Sequence, residues 1–191
     1  MHRNVRRALT TLSAVAAVMV TGPVAVAAPI VNASEAAVAA RPAFKMPFEC
    51  NQTWLGSNWS GHSPAHSIDW NHYDANGNPD DTGRRVFASA GGTVLDSYYS
   101  TTSGYGNTIV IGHGGGWQTR YAHLQTRSVQ AGDTVGVGQK IGEVGNTSAL
   151  YDLSPHLHYE QKLDGAVVVA VVQGVTWSDY LKRNQVSNNR C

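Results

Sequence analysis

The stretch from Asn107 to Leu124, which reads NTIVIGHGGGWQTRYAHL, decides the fold of this chain. It opens with β-branched residues, breaks at three consecutive glycines, and resumes at Trp117 with large apolar residues alternating with polar ones. β-branched and aromatic residues favour strands, and glycine supplies the tight turns between strands. The stretch therefore predicts strands joined by short connections.

The same pattern continues on both sides of this stretch. Apolar runs broken by glycine occupy residues 85–95, 134–145, 156–162 and 166–172, and helical periodicity is absent except at 177–182. The 20 glycines and the low share of charged residues, 14%, also suit a turn-rich β protein. We predict an all-β fold: a compact, mostly antiparallel β-sheet or sandwich domain with short glycine-rich turns.

The N-terminal segment predicts an export signal. Residues 1–7 carry three arginines, residues 8–28 are almost uncharged and mostly apolar, and Ala25-Val26-Ala27 fits a small-x-small cleavage site. The alternative is a transmembrane anchor, but Gly22-Pro23 and several polar residues interrupt the apolar run. We therefore assign residues 1–27 to a signal peptide.

The rest of the chain divides into a short tail and one domain. Residues 28–45 are rich in alanine and lack a periodic pattern, so we interpret them as a linker or short pro-segment. Residues 46–191 are assigned to a single domain, which we expect to be secreted, monomeric and free of the membrane in its mature form. Cys50 and Cys191 bracket this domain, and an even cysteine count in an exported protein predicts one disulfide.

Charge argues against a nucleic-acid partner. The chain has 14 Lys+Arg and 13 Asp+Glu, which gives a formal net charge of +1. The first 40 residues contain three of the basic residues and one of the acidic ones, so the remainder has a net charge of −1. No basic patch of the kind that nucleic acid requires survives, and we expect no nucleic-acid binding.

The histidines carry the chemistry. His156 and His158 stand two apart in SPHLHYEQ, a strand-like segment, so both rings project from one face. This spacing brings them close enough for one to bind a metal and the other to act on a water molecule held there. Paired histidines also occur on ordinary strand surfaces, so the pair alone is weak evidence.

A second group lies in GHSPAHSIDW, residues 61–70, where His62 and His66 precede Asp69. Two histidines and one aspartate leave a fourth zinc position open for water, which is the arrangement of a catalytic zinc. A third feature is His123 in the YAHL segment. Taken singly, each of these residues also fits an ordinary loop or surface position.

In combination, these motifs resemble the lysostaphin-type zinc metallopeptidases, the HxH endopeptidases of bacterial cell wall. The likeness runs in order from about Phe48 to Val172 and implies the duplicated hybrid motif fold of that family. Its five pieces are Ser67–Trp70 (SIDW), Val86–Val94 (VFASAGGTV), Tyr105–Leu124, Ala131–Thr147 and Ser154–Glu160 (SPHLHYE).

The resemblance implies a secreted zinc-dependent endopeptidase, with one Zn²⁺ per chain, that hydrolyses peptide bonds in peptidoglycan stems or cross-bridges. It also implies that Asp69 and His158 bind the metal, while His123 and His156 face the water that reacts. Several aromatic residues are expected either to line the substrate groove or to pack in the core. They are Trp54, Trp59, Trp70, Tyr98, Tyr99 and Tyr105.

The first ligand histidine is where the sequence departs from the commonest family pattern, which spaces His and Asp four apart. His66 lies three before Asp69 and would point to the opposite face if residues 66–69 are extended. His62 lies seven before it, and a loop through Pro64 would bring its ring back beside Asp69. We predict His62 as the third ligand, with His66 as the alternative if a bulge rotates it inward.

Two other classes of protein stay open. A non-catalytic cell-wall-binding or amidase-activating module would keep the fold and need no zinc. The complete set of Asp69, His123, His156 and His158 argues against it. An unrelated small β-barrel would hold a ligand in an apolar cavity and would show no activity on cell wall.

Overall fold

The computed structural model describes residues 40–59 and 61–191, and these ranges contain fourteen strands and no helix. The all-β prediction is confirmed, whereas the helical turn considered at 177–182 is wrong, because one strand ends at Trp177 and the next begins at Lys182. The signal peptide and residues 28–39 of the predicted linker lie outside the described residues. The strands are β1 Thr53–Ser57, β2 Ile68–Asn71, β3 Arg85–Phe87, β4 Gly92–Ser100, β5 Gly106–Gly112, β6 Trp117–Ala122, β7 Leu124–Arg127, β8 Thr134–Val135, β9 Lys140–Val144, β10 Leu157–Leu163, β11 Ala166–Val168, β12 Ala170–Val172, β13 Val175–Trp177 and β14 Lys182–Val186.

One large sheet dominates the described part of the chain, and every strand pair in it is antiparallel. Its order is β14-β1-β2-β10-β6-β5-β4-β8, with β11 pairing back onto β10. Two smaller sheets, β12-β13 and β3-β9-β7, complete the fold. No helix in the described residues has the length and apolar character needed to cross a membrane.

Three tryptophans pack beneath the β1–β2 side of this sheet. Trp54, Trp70 and Trp177 are each fully buried, and the rings of the last two meet edge to face at 4.7 Å. Gly56 lies against these two rings, where any side chain would collide with them. Because neighbouring residues of a strand point to opposite faces, burying Trp70 turns Asp69 to the other face of β2.

The two ends of the domain are tied together. Cys50 and Cys191 form the predicted disulfide, with their Cα atoms 5.2 Å apart. Beside it, the last strand, β14, pairs along the whole of β1, and the Ser187 hydroxyl donates to the Phe48 carbonyl at 2.7 Å. The C-terminal tail is therefore part of the sheet that carries Asp69.

Residues 41–45, which the sequence assigned to the linker, pack against the domain. The Arg41 guanidinium donates to the Val169 carbonyl at 3.0 Å and lies over the Trp117 ring. Phe44 is 2% exposed. An alanine-rich sequence gives no periodic signal for such contacts, because they depend on single side chains that reach distant strands.

Candidate metal centre

Three neighbouring strands bring the predicted site residues to one end of the large sheet. In the register of β2 against β10, Asp69 lies directly opposite His158. On the other side of β10, His158 pairs with Ala122, the last residue of β6. The next residue, His123, has a left-handed backbone with φ of 59°, which turns the chain at this point.

His62 reaches Asp69 from the loop that precedes β2. Its Nε2 lies 2.8 Å from Asp69 Oδ2, and its Nδ1 lies 3.0 Å from the Ser67 hydroxyl. The Ser67 hydroxyl donates its own proton to the Pro64 carbonyl, so it accepts a hydrogen bond from Nδ1–H of His62. The neutral ring then presents the lone pair of Nε2 to the carboxylate.

A buried carboxylate gives His158 the complementary arrangement. His158 Nδ1 lies 3.1 Å from Asp69 Oδ1, while its Nε2 lies 3.2 Å from Glu160 Oε1. Ionised Glu160 only accepts, so Nε2 carries the proton and the Nδ1 lone pair faces Asp69. Glu160 is 1% exposed, accepts the Tyr105 hydroxyl at 2.6 Å, and lies 3.6 Å from the Arg120 guanidinium.

In neutral rings, these contacts leave three acceptors directed at one another: Nε2 of His62, Nδ1 of His158 and the Asp69 carboxylate. A metal ion bound between them would satisfy all three. One atom each from His62, Asp69 and His158 lies within 4.8 Å of the other two. Two imidazole lone pairs and a carboxylate repel one another unless a cation lies between them, and neutral imidazole with carboxylate is a donor set that zinc prefers. The residues present therefore fit a zinc ion.

The pKa values of Asp69 and His158 are also set by their contacts with each other and with neighbouring groups. Burial by itself would raise the pKa of Asp69, but its contacts with the rings of His158 and His62 hold that pKa far below its usual range. Burial opposes the charged form of His158, yet its bonds to Asp69 and Glu160 raise its pKa to about 9. Without a metal, a proton takes the position of the cation, since the two compete for the same lone pair.

His123 and His156 lie beside this group with their rings 4.8 Å apart. His123 Nδ1 donates to the Thr147 carbonyl at 3.0 Å, and His156 Nδ1 donates to the Ser154 carbonyl at 2.8 Å. In a neutral ring, Nε2 then keeps its lone pair. Burial, together with the neighbouring His156 and His158, lowers the pKa of His123 to about 4, so this ring is neutral at neutral pH.

A groove of about 450 Å³ opens over these side chains. Trp59 and Tyr151 form exposed walls, with 58% and 63% of their surfaces accessible, and Tyr105 also lines the groove, with its ring 5.5 Å from that of His158. No lysine or arginine occurs among the described residues that line it. Of the aromatic residues expected in the groove or the core, Trp54 and Trp70 lie in the core, whereas Tyr98 and Tyr99 are half exposed on β4.

His66 lies apart from the three facing acceptors. Its Nδ1 lies 2.9 Å from Asp179 Oδ2, and its backbone N–H donates to Oδ1 of the same carboxylate at 3.1 Å. The sequence argument supposed that residues 66–69 are extended, but His66 has a left-handed φ of 70° and β2 begins only at Ile68. The structure thus gives His66 a partner on the segment between β13 and β14.

Sequence reasoning missed the residues that orient the histidine rings. Glu160 and Ser67 both stand in the motifs quoted for the family resemblance, yet neither was given a role. Strand alternation was the available signal for Glu160, because it lies two residues after His158 and so shares its face. The contact between Ser67 and His62 depends on the fold of an irregular loop, which no periodic pattern records.

The fold and the site together define a β-sheet domain in which His62, Asp69 and His158 could hold a metal ion. Residues 77–171 match the model of peptidase family M23, so the chain contains a domain of this lysostaphin-type family. The matched segment includes His123, His156 and His158, whereas His62 and Asp69 precede it.

Curated relatives carry names from cell-wall metabolism. A DD-carboxypeptidase/endopeptidase Mpg of Neisseria meningitidis serogroup B is 41% identical over 86 residues, which is 45% of this chain and 19% of that protein. The peptidoglycan DD-endopeptidase ShyC of Vibrio cholerae serotype O1 is 39% identical over 83 residues, 44% of this chain and 18% of that protein. The match thus spans about a fifth of each relative's length.

Solved structures show the same fold. A crystal structure of a zinc-containing peptidase from Vibrio cholerae aligns with a TM-score of 0.52 and 26% identity, covering 66% of this chain and 38% of that one. The deep-sea M23 metalloprotease pseudoalterin aligns with a TM-score of 0.54 and 22% identity, covering 74% of this chain and 86% of that one. The second likeness concerns the fold alone.

The role of Glu160 is testable by metal binding. Glu160→Gln keeps an oxygen that accepts from His158 but removes the charge that raises the basicity of the ring. We expect its zinc affinity to fall about 10-fold or more, measured by competition with a chromogenic chelator. Glu143→Gln, at a partly buried glutamate paired with Lys140, is the matched control and should bind zinc as the parent protein does. Equal affinities in both variants would contradict this role.

Proposed function

We propose that this chain is a secreted zinc endopeptidase that hydrolyses peptide bonds in bacterial peptidoglycan. The observation that carries the proposal is the convergence of two histidine lone pairs and the Asp69 carboxylate beside two further histidines in an open groove. Membership of peptidase family M23 and relatives named as peptidoglycan endopeptidases support the reaction and the substrate class.

His62, Asp69 and His158 are the proposed ligands of one zinc ion per chain. A zinc ion bound there would polarise the scissile carbonyl and make hydroxide available at neutral pH. Ser67 and Glu160 fix the two histidine rings so that Nε2 of one and Nδ1 of the other present lone pairs. The ligands are therefore oriented before any metal arrives.

His123 and His156 are the proposed catalytic residues. One of them accepts the proton of the attacking water, and the other donates a hydrogen bond to the oxyanion that develops on the scissile carbonyl. His123 is neutral at neutral pH and able to accept a proton, because burial lowers its pKa to about 4. Backbone carbonyls hold both rings at Nδ1, which fixes the position of the reacting Nε2 atoms.

The charge of the groove supports cleavage of internal bonds. Enzymes that remove a C-terminal residue commonly bind its free carboxylate with an arginine or lysine side chain. No lysine or arginine occurs among the described lining residues, and the walls are aromatic and small polar side chains. Such a surface suits an uncharged stretch of peptide backbone.

Secretion is supported by the N-terminal sequence pattern and by the Cys50–Cys191 disulfide, because disulfides form and persist in oxidising compartments.

Zinc-dependent digestion is the direct test. The secreted protein should release peptide fragments from purified peptidoglycan, a strong chelator should abolish the release, and added zinc should restore it. Mass spectrometry of fragments from peptidoglycans with different cross-bridges identifies the bond. Full activity in demonstrably metal-free protein would end the zinc proposal, and the absence of any fragment would favour the non-catalytic cell-wall module.

Paired substitutions test the choice of ligand histidine. His62→Ala should lose most of its zinc and its activity together, because it removes a lone pair directed at the centre. His66→Ala should keep its zinc, since the His66 ring contacts Asp179 instead. Zinc is quantified by elemental analysis after gel filtration. The reverse result would make His66 the ligand.

Separate substitutions test the catalytic pair. His123→Ala and His156→Ala should each lower kcat by about 10²–10⁴-fold, because each removes a group that acts only in the reaction. Zinc content should stay near that of the parent protein in both variants. If either variant lost its metal, that residue would belong among the ligands.

A further inference from the structure

A second, smaller pocket adjoins the groove. It has a volume of about 70 Å³ and shares Trp59, Gly61 and His62 with the groove. Asp179 and Tyr180, from the segment between β13 and β14, close its other side. We call it the Tyr180 pocket. The pocket therefore adjoins the metal centre at His62, within reach of a peptide that lies in the groove.

The Tyr180 pocket combines aromatic surface with a negative charge. Tyr180 is 74% exposed and Trp59 is 58% exposed, both far more than is usual for residues of this size. Asp179 contributes the only charged side chain among the described residues that line the pocket. Aromatic faces and a carboxylate both attract cations, and an ammonium group satisfies the two together.

The position of the carboxylate is fixed by the surrounding backbone. Asp179 accepts from the backbone N–H of His66 at 3.1 Å, and its carboxylate lies 2.9 Å from Nδ1 of the His66 ring. His66 and Tyr180 both adopt left-handed backbone conformations, with φ of 70° and 67°. Non-glycine residues take this conformation at a cost, and such residues cluster at functional sites.

We propose that the Tyr180 pocket binds the ammonium group of an amine-bearing residue in the substrate peptide. The proposal rests on the peptidase function above and adds a preference to it: a residue with a free side-chain amine, such as a diamino acid, lies close to the bond that is cut. The ammonium group would contact the Tyr180 and Trp59 rings and form an ion pair with Asp179. A carboxylate at the same place would be repelled.

Matched peptides test this preference. Synthetic peptides spanning the bond found by digestion would carry lysine at each neighbouring position in turn, either free or Nε-acetylated. Acetylation removes the charge and the cation–π contact, so at one position it should lower kcat/KM by about 3- to 30-fold, mainly through KM. Positions that do not reach the pocket should show no difference.

Variants locate the preference in the pocket. Asp179→Asn keeps the shape of the side chain and its ability to accept from His66, while Tyr180→Ala removes one aromatic wall. Each should reduce the ratio between free and acetylated peptide toward one. Tyr98→Ala, at a half-exposed tyrosine on β4 outside both pockets, is the control and should keep the parent ratio.

The outcomes separate this inference from the function on which it rests. Cleavage without preference at any position would overturn the amine pocket and leave the peptidase standing. A preference that survives in both pocket variants would also overturn it, because the amine would then bind elsewhere. If digestion of peptidoglycan releases no fragment, the peptidase function fails first, and the role of the pocket fails with it.

Discussion

The pairing of Asp69 with His158 across β2 and β10 is the constraint on which the site depends. Ile68 and Trp70 flank Asp69 on β2 and pair with Tyr159 and Leu157. These four apolar residues are fully buried on the opposite face of the sheet, so packing in the core fixes the register. A shift of one residue would turn His158 into the core and expose its neighbours. Packing of the apolar core on one face of the sheet thus positions the metal centre on the other face.

The residues around this pair create a need for positive charge before a metal is present. Ser67 and Glu160 each fix the proton of one histidine on the nitrogen that faces away from Asp69. Two lone pairs directed at a carboxylate repel it, and this repulsion lowers the stability of the fold. The surrounding sheet, in which β2 and β10 each have a paired strand on both sides, offsets this loss. Affinity for a cation therefore depends on the hydrogen bonds that Ser67 and Glu160 form with the far side of each histidine ring.

The sequence predicted the parts of the fold and site that repeat regularly along the chain. Strand alternation placed His156 and His158 together, and glycine spacing indicated an all-β domain. Residue types in GHSPAHSIDW made Asp69 a candidate ligand, but the roles given to Asp69 and His123 came from the family resemblance, since no single-sequence pattern distinguishes them from ordinary polar residues. What escaped prediction lies in irregular segments: the packing of Phe44 on the domain, the left-handed turn at His66, and its contact with Asp179. These depend on contacts between residues far apart in sequence, which local propensity does not encode.

The wide separation of the site residues along the chain has a consequence for the timing of activity. Asp69 and His158 are 89 residues apart, and β14, which completes the sheet beside β1, ends only five residues before the final Cys191. A fragment that ends before His158 lacks a residue of the centre, and an unfolded chain does not hold Asp69 and His158 together. The centre therefore forms only when the chain has folded, so any activity that depends on it appears together with the sheet.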